Sequence, residues 1–186
     1  VIGNNSISLL TDAWMKGIRT ICPEKALEAM IHQTEARHPG ISSVGRDGFG
    51  YYDRLGYVPY PEVHEGTAKT LEYAYADWCV ARFADSIGRK EIADTYYRKA
   101  LNYRNLYYPD YGFMWAKDAN GKWRDAFDAT EWGGPFTEGS SWHWTWSVLH
   151  DPEGLSRLMG GHTAMEARLD SMFTAPNTYN YGTYGF

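Results

Sequence analysis

Thr67-Ala-Lys-Thr-Leu-Glu-Tyr-Ala-Tyr-Ala-Asp-Trp-Cys-Val-Ala-Arg-Phe-Ala-Asp-Ser-Ile87 runs without a proline or glycine and carries two apolar faces at helical spacing. Leu71, Ala74, Tyr75, Trp78 and Ala81 mark one; Tyr73, Ala76, Val80, Phe83, Ala84 and Ile87 mark the other. A helix that is apolar around about two-thirds of its circumference has to be covered on more than one side. Gly88-Arg-Lys90 then supplies a stop, with Gly at the left-handed position that ends helices. Ile92, Tyr96, Ala100, Tyr103 and Tyr107 resume one face and predict a second helix over 92–107, so the pair reads as a helical hairpin.

The same period extends to both sides. Ile7, Leu10, Trp14 and Ile18 predict a helix over 7–19, capped by Asn5 or Ser6. Pro23, tolerated in a first turn because its missing N–H is not needed there, opens another that runs to about Ala36. These two form a further hairpin, ended by His38-Pro-Gly40. Residues 41–65, rich in Gly and Pro, read as a connector with at most a short helix over 51–55. After Pro109 periodicity disappears for about thirty residues, and a loop of that length in a compact domain is usually functional. Helices return over 141–148, 152–159 and 163–173. No alternating segment of useful length occurs, so the class is all-α.

A chain of 186 residues suits one domain. Its net charge of −5, with Lys and Arg scattered, gives no electrostatic case for nucleic acid. No apolar run approaches the roughly 20 residues that span a bilayer, and residues 1–8 do not read as a signal peptide. A start at Val1 and a stop at Phe186 read as cuts in something longer. Cys22 and Cys79 belong to no metal-ligand spacing and are expected as buried thiols, a bridge between them being left open. The surplus is aromatic: 8 Trp, 15 Tyr and 7 Phe, of which Tyr and Trp pair an apolar body with a polar tip and suit a wet cleft.

That surplus concentrates in Trp123-Arg-Asp-Ala-Phe-Asp-Ala-Thr-Glu-Trp-Gly-Gly-Pro-Phe-Thr-Glu-Gly-Ser-Ser-Trp-His-Trp-Thr-Trp146, which holds five Trp and four carboxylates. Flat apolar rings beside carboxylate acceptors suit a sugar, whose C–H faces stack and whose hydroxyls donate. Glycoside hydrolysis needs carboxyl groups on both sides of the scissile bond, and Glu138, on a tight turn ahead of a helix, is the candidate general acid. The competing account makes it a first-turn acid favoured by the helix dipole. Trp132, before Gly133-Gly134, is the better sugar platform. Trp142 shares a helix face with Trp146 at core spacing, so at least one of them is expected to be structural. His143 lacks a second His at i+3 or i+4, which favours a hydrogen-bonded histidine beside the cleft over a metal ligand. Asp151 and Glu153 are accounted for by helix capping.

Phe136-Thr-Glu-Gly-Ser-Ser-Trp-His-Trp-Thr-Trp146, followed by His150-Asp-Pro-Glu-Gly-Leu155 and Leu158-Met-Gly-Gly161, resembles the central catalytic region of glycoside hydrolase family 92, the calcium-dependent exo-α-mannosidases. Thr70-Leu-Glu-Tyr-Ala-Tyr-Ala-Asp-Trp-Cys79 and Gly56-Tyr-Val-Pro59 resemble earlier segments of the same family in the same order. The resemblance implies an (α/α)6 toroid, of which residues 1–186 form one partial domain, and an inverting mechanism. Glu138 falls at the position of the family's general acid, whose pKa burial beside aromatics would raise. Substrate binding is expected of Trp132, Trp142 and His143. The resemblance further implies bacterial secretion, a mannose-containing oligosaccharide such as mannan or an N-glycan as substrate, and Ca2+ bound by ligands outside this chain. The calcium-associated block and the block carrying the base would lie beyond Phe186, and the family's β-sandwich and the start of the toroid are missing too. The isolated chain is therefore expected to be inactive. Ser140 stands where Asn is commoner in the family.

Two other classes compete. Ala93-Asp-Thr-Tyr-Tyr-Arg-Lys-Ala-Leu101 resembles a tetratricopeptide helix and would fit a protein-binding scaffold, but no 34-residue period recurs. A non-catalytic sugar-binding module would use the same Trp-rich loop.

Overall fold

The computed structural model describes residues 2–41, 44–175 and 178–181. Eight α-helices follow in order: α1 Asn5–Met15, α2 Pro23–Gln33, α3 Phe49–Leu55, α4 Gly66–Ser86, α5 Lys90–Lys99, α6 Ser141–Trp144, α7 Pro152–Met159 and α8 His162–Thr174. A 3-10 helix, Ala100–Leu106, continues α5 and leads into β1, Tyr107–Tyr108, which pairs antiparallel with β2, Phe113–Met114. The class is helical as read. A two-residue strand is too short to leave an alternating pattern, so the ribbon had no sequence signal.

α4 is the central element. Fifteen of its residues, from Gly66 to Ala84, are buried, and α1, α2, α5 and the 3-10 helix all pack on it. Its apolar residues serve three clusters, one joining Tyr73 to Tyr52 and Val58, and Tyr75, Trp78 and Ala81 pack with Val80 and Phe83 rather than with Leu71 and Ala74. Ala76, Val80, Phe83 and Ala84 join Ile7, Leu27, Met30, Ala93 and Tyr96; Leu71 and Ala74 join Tyr103, Met114, Val148 and Leu155. The predicted stop holds: Gly88 lies at φ +79°, its amide donates to Asp85 O and that of Arg89 to Ala84 O.

Several boundaries move, each for a local reason. The cap of α1 is Asn4, not Asn5 or Ser6, because the Asn4 side chain accepts the Ser6 amide. α1 stops at Met15, just before Gly17 at φ +89°. α5 tightens at Ala100, where a side chain engages the backbone: His150 donates to Ala100 O. α6 is one turn, not two, because Ser141 and Thr145 are committed to β2. Ser141 Oγ donates to Met114 O and Thr145 Oγ1 accepts the Met114 amide. The thiols also split: Cys79 is buried and pushed up to about 11 by burial, but Cys22 is exposed at the start of α2, and both are free. A thiol reagent at pH 8 is expected to label Cys22 in the folded chain and Cys79 only on denaturation; rapid labelling of both would contradict this burial.

His150 sits among Tyr75, Trp78 and Tyr103, its Nε2–H on Ala100 O at 2.9 Å and its buried Nδ1 without a hydrogen-bond partner. Burial lowers its pKa. A lowered folded-state value means that the unfolded chain binds the proton first, so stability is complete above about pH 6.5 and falls as the pH drops. Urea midpoints are expected to decline from pH 7 to pH 5, and His150→Phe is expected to flatten that decline. An equal slope in the variant would remove His150 as the cause.

Apolar side chains remain uncovered on the far side of the helices. Leu149 is 74% and Phe173 79% exposed, and α8 has no buried residue.

Candidate active site

The aromatic loop owes its shape to fixed anchors. Arg124 makes a two-pronged ion pair with Glu131, at 2.6 and 2.9 Å, while its guanidinium lies over Trp115, whose indole N–H donates to Arg124 O. Trp123 stacks on Tyr108 at 4.4 Å, and Phe127 stacks on Tyr111 at 4.2 Å. Pro135 ties the loop to α4, because its carbonyl accepts the amides of Thr67 and Ala68, the first-turn donors that no side chain caps. The loop is thereby docked on the N-terminus of the buried helix.

Within it, residues 133–139 form a pinned turn. Gly133 donates to Gly139 O at 2.8 Å, Phe136 is fully buried, and Trp144 Nε1 donates to Thr137 O at 2.9 Å. Glu138 caps this turn at φ +45°, a left-handed conformation that costs a residue with a Cβ about 1–3 kcal/mol. Its side chain is exposed, so the aromatic burial expected around it is not provided by this chain. Glu138 also lies two residues ahead of the α6 cap, Ser140, which removes it from the first turn and from the helix-dipole account.

Glu138 faces a cavity of about 550 Å3 lined also by Ile2, Gly3, Asn5, Glu72, Thr137, His143 and Trp144. That size suits a small-molecule site. His143 is fixed by a reciprocal cap: Ser140 Oγ takes the His143 amide, and His143 Nδ1 takes the Ser140 amide at 3.2 Å. Ser140 thus does the hydrogen-bonding work of the helix start at this position. With Nδ1 accepting and burial lowering its pKa, the imidazole is neutral at pH 7 and keeps its proton on Nε2.

The other two candidates lie elsewhere. Trp132 meets His143 edge-on at 5.3 Å and lies beside Tyr179, one layer back from the cavity. Trp142 turns its edge to Phe113 at 4.7 Å and lines no wall of the Glu138 cavity. Trp146 packs against the second core. Asp151 caps α7 by accepting the Gly154 amide at 2.8 Å, as its sequence position implied. Trp144 and Glu72 line the cavity without having been singled out. Glu72 left no distinguishing sequence signal, being one of several charged residues on α4. Among the described residues, no three His, Cys, Asp or Glu side chains converge as a metal site. No helix among them is long and apolar enough to cross a membrane.

Comparison with known proteins agrees with the helical layout. A structure of a family GH92 inverting mannosidase from Bacteroides thetaiotaomicron VPI-5482 is 81% identical, with a TM-score of 0.91, over 100% of this chain and 25% of that one. A family GH92 alpha-mannosidase of Bacteroides thetaiotaomicron in complex with mannoimidazole is 30% identical, with a TM-score of 0.84, over 97% of this chain and 24% of that one. An uncharacterized secreted glycosidase of Arthroderma benhamiae is 28% identical over 200 residues, 90% of this chain and 26% of that protein. The chain therefore spans about a quarter of the length of these relatives. The family model described as the glycosyl hydrolase family 92 catalytic domain matches residues 1–185, and the chain belongs to that family.

Proposed function

We propose that this chain is the part of an inverting, exo-acting α-mannosidase that supplies the general acid, Glu138. The observation that carries the reading is the placement of Glu138. A carboxyl group is held on a pinned left-handed turn at the mouth of a cavity, with a neutral histidine and an indole beside it, in a family 92 chain. In this reading Glu138 protonates the departing glycosidic oxygen, and a carboxylate on the opposite side of the ring activates water. His143 offers its Nε2–H to the bound sugar, Trp144 gives the sugar a flat wall, and Trp132 backs His143 against rotation.

The base and the Ca2+ ligands come from segments outside residues 1–186, as does the rest of the toroid. Calcium supplies a positive centre that binds sugar hydroxyls. The isolated chain, holding the acid without the base, is inactive. The whole protein acts outside the cytoplasm on α-mannosidic bonds of mannan or N-glycan oligosaccharides, a reading supported by the names of its relatives. The test is Glu138→Gln in the full-length protein, assayed on an α-mannobioside and on an aryl α-mannoside with a good leaving group.

A further inference from the structure

Glu72 is the acid on α4 that lacks a partner. Asp77 is paired with Arg46 and Tyr52, and Asp85 with Lys90, but Glu72 makes no hydrogen bond or ion pair among the described residues. It is nevertheless half-buried, and burial alone raises its carboxyl above the usual range. A carboxylate withdrawn from water without compensation costs free energy, and groups of this kind gather at functional sites.

Its carboxylate lies against Gly3. Gly3 packs so closely on the carboxylate that a Cβ built there would stand 2.3 Å from Glu72 Oε2. Only glycine leaves the oxygen where it is, against the wall of the cavity that Glu138 faces.

The chemistry of that cavity narrows its occupant. Among the described residues, the titratable groups on its walls are Glu72 from α4, Glu138 from the turn and His143 from α6; Asn5, Thr137 and Trp144 add polar atoms, and no Lys or Arg lines it. Tyr75, one turn along α4, feels the Glu72 charge and is itself raised, mainly by burial. Acceptors without a cation repel an anionic ligand and suit a neutral one rich in hydroxyl donors.

We propose that Glu72 is a sugar-binding residue of the Glu138 cavity, its carboxylate accepting hydroxyl hydrogens of the substrate. This rests on reading the cavity as the substrate site. Its contribution is to affinity for the sugar, whereas that of Glu138 is to bond cleavage.

The experiment uses the full-length protein with calcium present and Glu138→Gln as background, and titrates methyl α-mannoside by calorimetry. Adding Glu72→Gln is expected to weaken binding by about tenfold, the effect of replacing a charged hydrogen-bond acceptor with a neutral one. Gly3→Ala, which displaces the carboxylate without altering its chemistry, is expected to weaken binding in the same direction. Neither should lower the unfolding temperature. Unchanged affinity in both variants overturns the proposal, as does a loss of affinity that appears only with a lowered unfolding temperature. Absence of binding in the background protein overturns the cavity reading as well. The role of Glu138 is judged apart, by turnover, so either assignment can fail alone.

Discussion

In the full-length protein, Glu138→Gln is expected to lower turnover of an α-mannobioside by about 10²–10⁴-fold, the usual contribution of a positioned general acid. The sugar leaving group of a mannobioside departs as a poor anion unless a proton reaches its oxygen during bond cleavage. An aryl group that forms a stable phenolate needs little of that help, so the same variant should retain most of its turnover on an activated aryl mannoside. Gln keeps the length of the side chain, and the turn itself is held by Gly133, Phe136 and Trp144 rather than by the carboxylate. The substitution is therefore read as chemistry and not as misfolding. Equal losses on the two substrates would remove the acid role from Glu138.

Asp77→Ala is expected to cost about 3–5 kcal/mol of folding stability, the range for breaking a buried ion pair by removing one partner. Arg46 and Asp77 are 4% and 0% exposed, and Arg46 Nη2 lies 2.8 Å from Asp77 Oδ1. Tyr52 donates to the other carboxylate oxygen at 2.7 Å, and Arg46 Nη2 donates to Tyr73 O. The guanidinium lies over the rings of Tyr52 and Tyr73, at 5.3 and 4.7 Å. Burial works to lower the Arg46 pKa, but Asp77 together with Tyr52 and Tyr73 outweighs it and the group is raised. Without Asp77 the arginine stays charged inside the core with nothing to balance it. Domains are stable by only about 5–15 kcal/mol, so the loss would be visible as a large fall in the urea midpoint. Adding Arg46→Met to Asp77→Ala should recover much of the loss. If the single variant is near neutral and the double variant no better, the pair is not what fastens the connector to α4.

Much of this arrangement could be read from residue order. The wide apolar pattern of α4 announced a helix covered on more than one side, and Gly88 announced the turn into α5. The site was legible only where its residues are contiguous: Glu138 and His143 lie five positions apart and share one cavity. Glu72 was hidden because it arrives from α4, 66 positions earlier, and a charged residue in a helix reads as solvated until the packing is known. The Pro135 carbonyl that completes the start of α4 was hidden for the same reason: it is a backbone group, and backbone groups leave no mark in a sequence. Trp142 shows what residue order leaves open: side-chain size predicts stacking but not its partner, and within this chain the ring meets Phe113 edge to face.

The left-handed backbone at residue 138 sets two demands against each other. Glycine would relax φ +45° at no steric cost, whereas any side chain there keeps the turn strained. Selection for thermal robustness alone would drift this position toward glycine and erase the carboxylate. A library sorted by stability and one sorted by turnover should therefore diverge first at this residue, making it a point where engineering a hardier protein silently costs its chemistry.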